Sequence, residues 1–171
     1  MKKHSDYITH INNAEDEVYL RTKHFPVNMR LFYSCSEYKE IILQQCNYIK
    51  SLCLDTKEGY KKPHGMSSAN AGLAFNIIGI TMNRNKEDEH CIIMINPKIF
   101  EYSKEKVKSL SNCGSLTLEE PIEIERYERV LVNWYSVEGK VGERWFSREQ
   151  GSLTIQHEID HINGILITDR R

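Results

Sequence analysis

The chain has 171 residues, 40% of them hydrophobic, which is enough for one domain with its own core and few for two. Its 23 lysines and arginines stand against 24 aspartates and glutamates; the formal charge of −1 gives no general electrostatic reason to expect nucleic acid or an anionic membrane as partner. Five cysteines (Cys35, Cys46, Cys53, Cys91, Cys113) at irregular spacing, with no Cys-x-x-Cys pair, argue for reduced core thiols over a disulfide framework.

The opening "MKKHSDYITHINNAEDEVYL" is polar and acidic, and no apolar run of about 18 residues follows, so neither a signal peptide nor a membrane span is expected and a cytoplasmic protein is. In "YKEIILQQCNYIKSLCL", Tyr38, Ile42, Cys46, Ile49 and Cys53 recur at helical spacing and predict an amphipathic helix. The polar stretch "DTKEGYKKPHGMSSANAG", with Pro63 inside it, predicts a long exposed loop. "LAFNIIGITM" and "HCIIMINP" are β-branched apolar runs joined by the charged turn "NRNKEDE", as neighbouring strands would be. "RVLVNWYSVEGKVGERWF" repeats that design as a hairpin with Glu138-Gly139 at its bend. Ser147-Arg148-Glu149-Gln150 is a capping-box pattern that opens a last helix, and Gly164 is its expected stop. No repeat or linker divides the chain. The expectation is one domain over 1–171, α+β, with antiparallel or mixed sheets and hairpins packed around a central C-terminal helix.

That last helix carries His157-Glu158-Ile159-Asp160-His161, a His-Glu-x-x-His pattern. Four residues advance a helix by about 400°, so His157 and His161 share one face roughly 40° apart and both imidazoles reach one metal ion. Glu158 lies about 100° from His157, where it can take a proton from water held at the ion. Ile155, Ile159 and Ile162 fall on the reverse of the helix, which is therefore expected to be covered on both sides. Gln156, Asp160 and Asn163 are expected on a solvated face.

A catalytic site of this kind needs a third protein ligand and an open position. The longer metzincin pattern matches as far as Gly164 and then has Ile167 in place of histidine, and the sole acid after His161 is Asp169. The third ligand is therefore expected upstream. Cys113, in the small-residue turn "SLSNCGSLTL", is one candidate; a buried core cysteine is the alternative reading of the same residue. His64 and His90 lie in polar loops and are expected at the surface, while the other cysteines suit core packing.

Together "GLAFNIIGI" (72–80), "SNCGS" (111–115) and "QHEIDHINGIL" (156–166), in that order, resemble the three motifs of peptide deformylases. The likeness extends through "YLRTKHFPV", the first helix and "ERYERVLVNWYSVEGK". This resemblance implies removal of the N-formyl group from N-formylmethionyl nascent peptides with release of formate, and it leaves the ribosome open as a partner. It implies Cys113, His157 and His161 as ligands of one divalent ion. The family commonly uses Fe2+, with Zn2+, Ni2+ or Co2+ able to replace it; ligand geometry alone would suggest zinc. Glu158 would accept a proton from the attacking water and return one to the leaving amine. Backbone groups of Ala71, Gly72 and Leu73 would meet the extended peptide, and Leu153 and Thr154 would line the methionine pocket.

The departures from the family are specific. Laid on Asn70–Ile77, the family's Gly-x-Gly-Leu-Ala-Ala-x-Gln puts Ile77 where the glutamine donates to the oxyanion, and loss of one such donor costs about 10² to 10³ in rate. The backbone N–H of Gly114 still serves the oxyanion under this resemblance, with Asn70, Asn76 and Asn112 as neighbours able to supply a second donor. The second motif, normally Glu-Gly-Cys-Leu-Ser, has Ser111 in place of the acid that pairs with the arginine matched by Arg126, and Glu123 or Glu125 would have to compensate. Two classes follow: a divergent deformylase, or a deformylase-like metal-binding protein that acts on another amide or serves a binding role.

Overall fold

A computed structural model describes residues 14–56, 62–116 and 118–170. Three helices come first: α1 (Ala14–Leu20), α2 (Met29–Ser34) and the long α3 (Ser36–Leu54). Seven strands follow: β1 (Gly65–Ser67), β2 (Ile77–Met82), β3 (His90–Tyr102), β4 (Lys106–Ser111), β5 (Ile122–Tyr127), β6 (Val130–Tyr135) and β7 (Val141–Phe146). The last helix, α4, runs from Ser152 to Ile162. The fold is α+β as expected, with one five-stranded antiparallel sheet in the order β1-β2-β3-β6-β7 and a separate β4-β5 hairpin.

Period-2 alternation along the large sheet separates two cores. On one face Ile77, Ile93 and Ile95 pack under α3 with Ile42, Cys46, Ile49 and Cys53. On the other, Ile78, Ile80, Met94, Val130, Val132 and Phe146 pack under α4 with Ile155 and Ile162. Two helices thus cover the two faces of one sheet, and the predicted amphipathic helix and the predicted reverse face of the last helix both hold.

Two local expectations are corrected and a third holds. The stretch read as an exposed loop divides: Met66 to Ala71 are buried, because β1 pairs antiparallel with β2 (Gly65 with Ile80, Ser67 with Ile78) and packs against α4. The capping box does form, Ser147 with Gln150, but it closes a 3-10 turn at Arg148–Gln150; Gly151, at φ +88°, then redirects the chain into α4. Gly164 stops the helix as expected, at φ +75°, and a Cβ there would come within 2.1 Å of the Arg21 carbonyl oxygen.

Candidate metal centre and substrate cavity

Helix α4 is held from behind before any chemistry is placed on it. Gln156 accepts from the Tyr127 backbone N–H at 3.1 Å and donates to the Tyr127 carbonyl at 2.8 Å, and the Ser152 hydroxyl donates to the Glu128 carbonyl at 2.6 Å. Asp160 takes Arg126 Nη1 at 2.9 Å on one oxygen and Arg170 Nη2 at 2.5 Å on the other. Gln156 and Asp160 are therefore buried, not solvated, because the β4-β5 hairpin and a C-terminal 3-10 turn (Ile167–Arg170) close over that side. Only Asn163 of the three stays exposed, its amide donating to the Ile159 carbonyl.

On the remaining face the three expected donors meet. Cys113 Sγ lies 3.3 Å from His161 Nε2, His161 Nε2 lies 3.1 Å from His157 Nε2, and all three donor atoms fall within 4.8 Å of one another. Burial pushes the His161 imidazole down to about 4 and holds His157 well below its usual value, so both rings present lone pairs at neutral pH. Burial also pushes the Cys113 thiol up to about 11. A thiol and two neutral imidazoles converging on one point fit a divalent cation, whose charge would favour the thiolate. His64 and His90 are exposed and stand outside this group, as expected.

Glu158 is 4% exposed, and burial pushes its carboxyl up to about 8 against hydrogen bonding from Ser67 and the charge of Arg126. One oxygen, Oε2, has no hydrogen-bond partner among the described residues. Gly65 permits this position: a Cβ there would lie 2.6 Å from Thr154 Cγ2 and 2.9 Å from Glu158 Cγ. Outside these groups opens a cavity of about 600 Å³, whose wall includes Glu158, His157, Leu153, Thr154, Asn70 and Gly114. Open space surrounds the Gly114 α-carbon on that side.

Ile77 is not part of this site. It is fully buried at the start of β2 and faces α3; only its neighbours Ile78 and Ile80 face α4. Ala71, Gly72 and Leu73 are likewise absent from the cavity wall, and their N–H groups donate to the Ser67, Ala69 and Ser68 carbonyls. The buried side-chain amide on the wall is that of Asn70, 6% exposed and hydrogen-bonded to the hydroxyls of Ser67 and Ser115. Sliding the family motif back by seven residues explains the error: Gly65-Met66-Ser67-Ser68-Ala69-Asn70 then lies on Gly-Leu-Ala-Ala-x-Gln, with Asn70 in the glutamine's place. Asn112 also reaches the cavity and Asn76 does not. Glu123 and Glu125 do not compensate Arg126; they face outward, paired with Lys108 and Lys106, and Asp160 is the acid on Arg126.

Fold and donor set together define a small α+β protein in which Cys113 meets two histidines of a helix that also bears a buried glutamate. The family model for polypeptide deformylase matches residues 23–171, and the chain belongs to that family. It is 32% identical over 105 residues to the peptide deformylase of Bartonella quintana, a match covering 61% of this chain and 58% of that one. The fold is that of the peptide deformylase from Thermotoga maritima (TM-score 0.72, 23% identity, 95% of each chain covered). It is also that of a class I type b peptide deformylase from Acinetobacter baumannii solved with Met-Ala-Ser bound (TM-score 0.63, 21% identity, 96% of each chain covered).

Proposed function

We propose that this chain is a metal-dependent hydrolase that removes the formyl group from the N-terminus of formylated peptides, N-formylmethionyl peptides being the family's substrates, and releases formate. The observation that carries this reading is the buried Glu158, next in the chain to one of three converging donors and on the wall of a cavity of about 600 Å³. A pure binding protein has no use for that carboxylate.

Cys113, His157 and His161 would hold the ion; the resemblance favours Fe2+, and the one-sulfur, two-nitrogen set also suits Zn2+, Ni2+ or Co2+. When bound, the cation supplies a Lewis-acidic centre that acidifies water and polarises a carbonyl. Glu158 would accept a proton from the attacking water and return it to the leaving amine; burial raises its carboxyl to about 8 in the metal-free chain, and a cation beside it would favour the carboxylate that this step needs. The Gly114 N–H and the Asn70 amide would donate to the formyl oxygen. Strand β1 is the edge of the sheet and borders the cavity at Gly65 and Met66, so an extended peptide can add to it as a further strand. This replaces Ala71–Leu73 as the peptide's backbone partner. Leu153 and Thr154 line the pocket for the first side chain.

Among the described residues no helix is long and apolar enough to cross a membrane. A cytoplasmic setting near the ribosome is part of this proposal, resting on the resemblance. Formate release from formyl-Met-Ala-Ser by anaerobically prepared, iron-loaded protein tests it, with Glu158→Gln as the background. Equal formate from wild type and Glu158→Gln would remove the hydrolase reading, and metal analysis of the same preparation identifies the ion.

A further inference from the structure

Two thiols outside the metal centre meet where helix α3 lies on the large sheet. Alternation along β3 turns Cys91 to the same face as Ile93 and Ile95, and Cys53, near the end of α3, packs into the same core. Gly79 on β2 makes the meeting possible. A Cβ there would lie 3.1 Å from Cys53 Sγ and 3.1 Å from Cys91 Sγ, with Ile49 Cγ2, one helical turn before Cys53, closer still at 2.8 Å. Both sulfurs therefore border one small space that any larger residue at 79 would fill. The strand register holds them there: Thr81, directly across from Cys91, directs its hydroxyl at the Cys53 and Pro63 carbonyls, at 3.5 and 3.2 Å.

The two sulfurs are not equivalent. Cys53 is fully buried, while Cys91 is half-buried. Hydrogen bonding from the Cys53 thiol, helped by the charge of Lys50, holds Cys91 below its usual value against the effect of burial. The same contact, together with burial, pushes Cys53 well above its usual value. A partly exposed, more acidic thiol beside a buried, protonated one is the arrangement of an attacking and a resolving cysteine. Both are free thiols in this structure.

We infer that Cys53 and Cys91 are a peroxide-oxidisable dithiol, a modification site that closes as a disulfide between α3 and β3. The Cys91 thiolate attacks one oxygen of hydrogen peroxide; the S–O bond forms, the O–O bond breaks, and hydroxide leaves and takes up a proton to become water. The Cys53 sulfur then attacks the sulfenic sulfur; the S–S bond forms, the S–O bond breaks, and the hydroxyl departs with the Cys53 proton as a second water. Two thiols lose two electrons in all, and one peroxide gains them. The bridge encloses 53–91, the segment that carries β1 and the Asn70 of the cavity wall, and ties it to α3. Neither the pair nor its test depends on the deformylase reading.

The test uses protein loaded first with zinc, to occupy the Cys113 centre. It is treated with hydrogen peroxide, quenched with catalase, unfolded and alkylated, and its peptides are mapped by mass spectrometry. The expected product joins the Cys53 and Cys91 peptides with the loss of two hydrogens, is undone by dithiothreitol, and leaves Cys35, which is also half-buried, open to alkylation. The bridge should raise the thermal midpoint by about 5 °C, and reduction should return it. Cys53→Ser should halt at the Cys91 sulfenic acid, trapped by dimedone, and Cys91→Ser should leave Cys53 a free thiol. If Cys53 and Cys91 stay open to alkylation up to the peroxide dose that oxidises Cys35, or if Cys91 pairs with a cysteine other than Cys53, the inference is overturned. A midpoint that falls on oxidation would show that the bridge forms only by distorting the fold, and would overturn it too. Should a variant fail to fold, the wild-type map alone decides.

Discussion

Gly65 and Glu158 pack so closely that the strand carries no side chain at the point of contact. A Cβ at Gly65 would stand 2.9 Å from Glu158 Cγ and 3.1 Å from its Oε1, with Thr154 Cγ2 closer still at 2.6 Å. Gly65→Ala must therefore push β1 off α4 or move the carboxylate. Overpacking of this kind costs about 1–3 kcal/mol, and a displacement of about 1 Å at a reacting group costs about 10²-fold in rate. Gly65→Ala is expected to lose both stability and turnover. Gly114→Ala serves as the steric contrast, because nothing lies within 4 Å of the Cβ it would gain, and its thermal midpoint should match wild type. Identical melting of all three proteins would show that β1 has room to move.

Cys113 supplies the only sulfur among the three donors, and its thiol sits at about 11 because it is buried. Cys113→Ser replaces a ligand that a divalent ion readily deprotonates with an alcohol that it does not. The expected result is loss of most bound metal on dialysis against a mild chelator. His64→Ala, far from the donor group in role, should retain it. Full metal retention by Cys113→Ser would exclude Cys113 as a ligand.

What the sequence disclosed depended on whether a residue's neighbours were local. The spacing of His157, Glu158 and His161 is a property of one helix, and helical periodicity placed Ile155 and Ile162 correctly in the core. Asp160 and Gln156 were misplaced because their partners, Arg126 and Tyr127, come from a hairpin that no helical wheel contains. Ile77 was assigned to the site by a motif register that "GLAFNIIGI" imitates by chance. Sheet alternation corrects it, and the signal that would have found Asn70 was Gly65, where only a missing side chain lets the strand lie on the helix.

The corrected register gives opposite expectations at two positions. Ile77→Gln would bury an amide without a partner between β2 and α3, at a cost of about 2–4 kcal/mol, and bring no gain in rate. Asn70→Ala would remove the amide on the cavity wall and lower kcat by about 10²-fold or more, with a smaller change in KM. Unfolding curves and steady-state kinetics on the two variants distinguish the registers. A rate increase in Ile77→Gln would restore Ile77 to the site.

Removal of the metal should expose the site's titrations as a dependence of stability on pH. Glu158 moves from its usual 4.5 to about 8 in the folded chain, so the folded state holds the extra proton between those values and stability falls as pH rises through that window. His161, lowered from 6.5 to about 4, has the opposite sense: the unfolded state binds the proton first, and stability falls as pH drops from 6.5 towards 4. Burial lowers His24 and His157 in the same direction. Below 6.5 three histidines oppose one carboxyl, and above it Glu158 dominates, so the metal-free protein should be most stable at about pH 6.5. On the alkaline side the loss should run at about 1.4 kcal/mol per pH unit and level off near pH 8. Glu158→Gln, which has no proton to lose, should flatten that limb and leave the acid limb in place. Denaturant midpoints of the metal-free proteins across this range measure both limbs, and an alkaline limb equally steep in Glu158→Gln would assign it to another group.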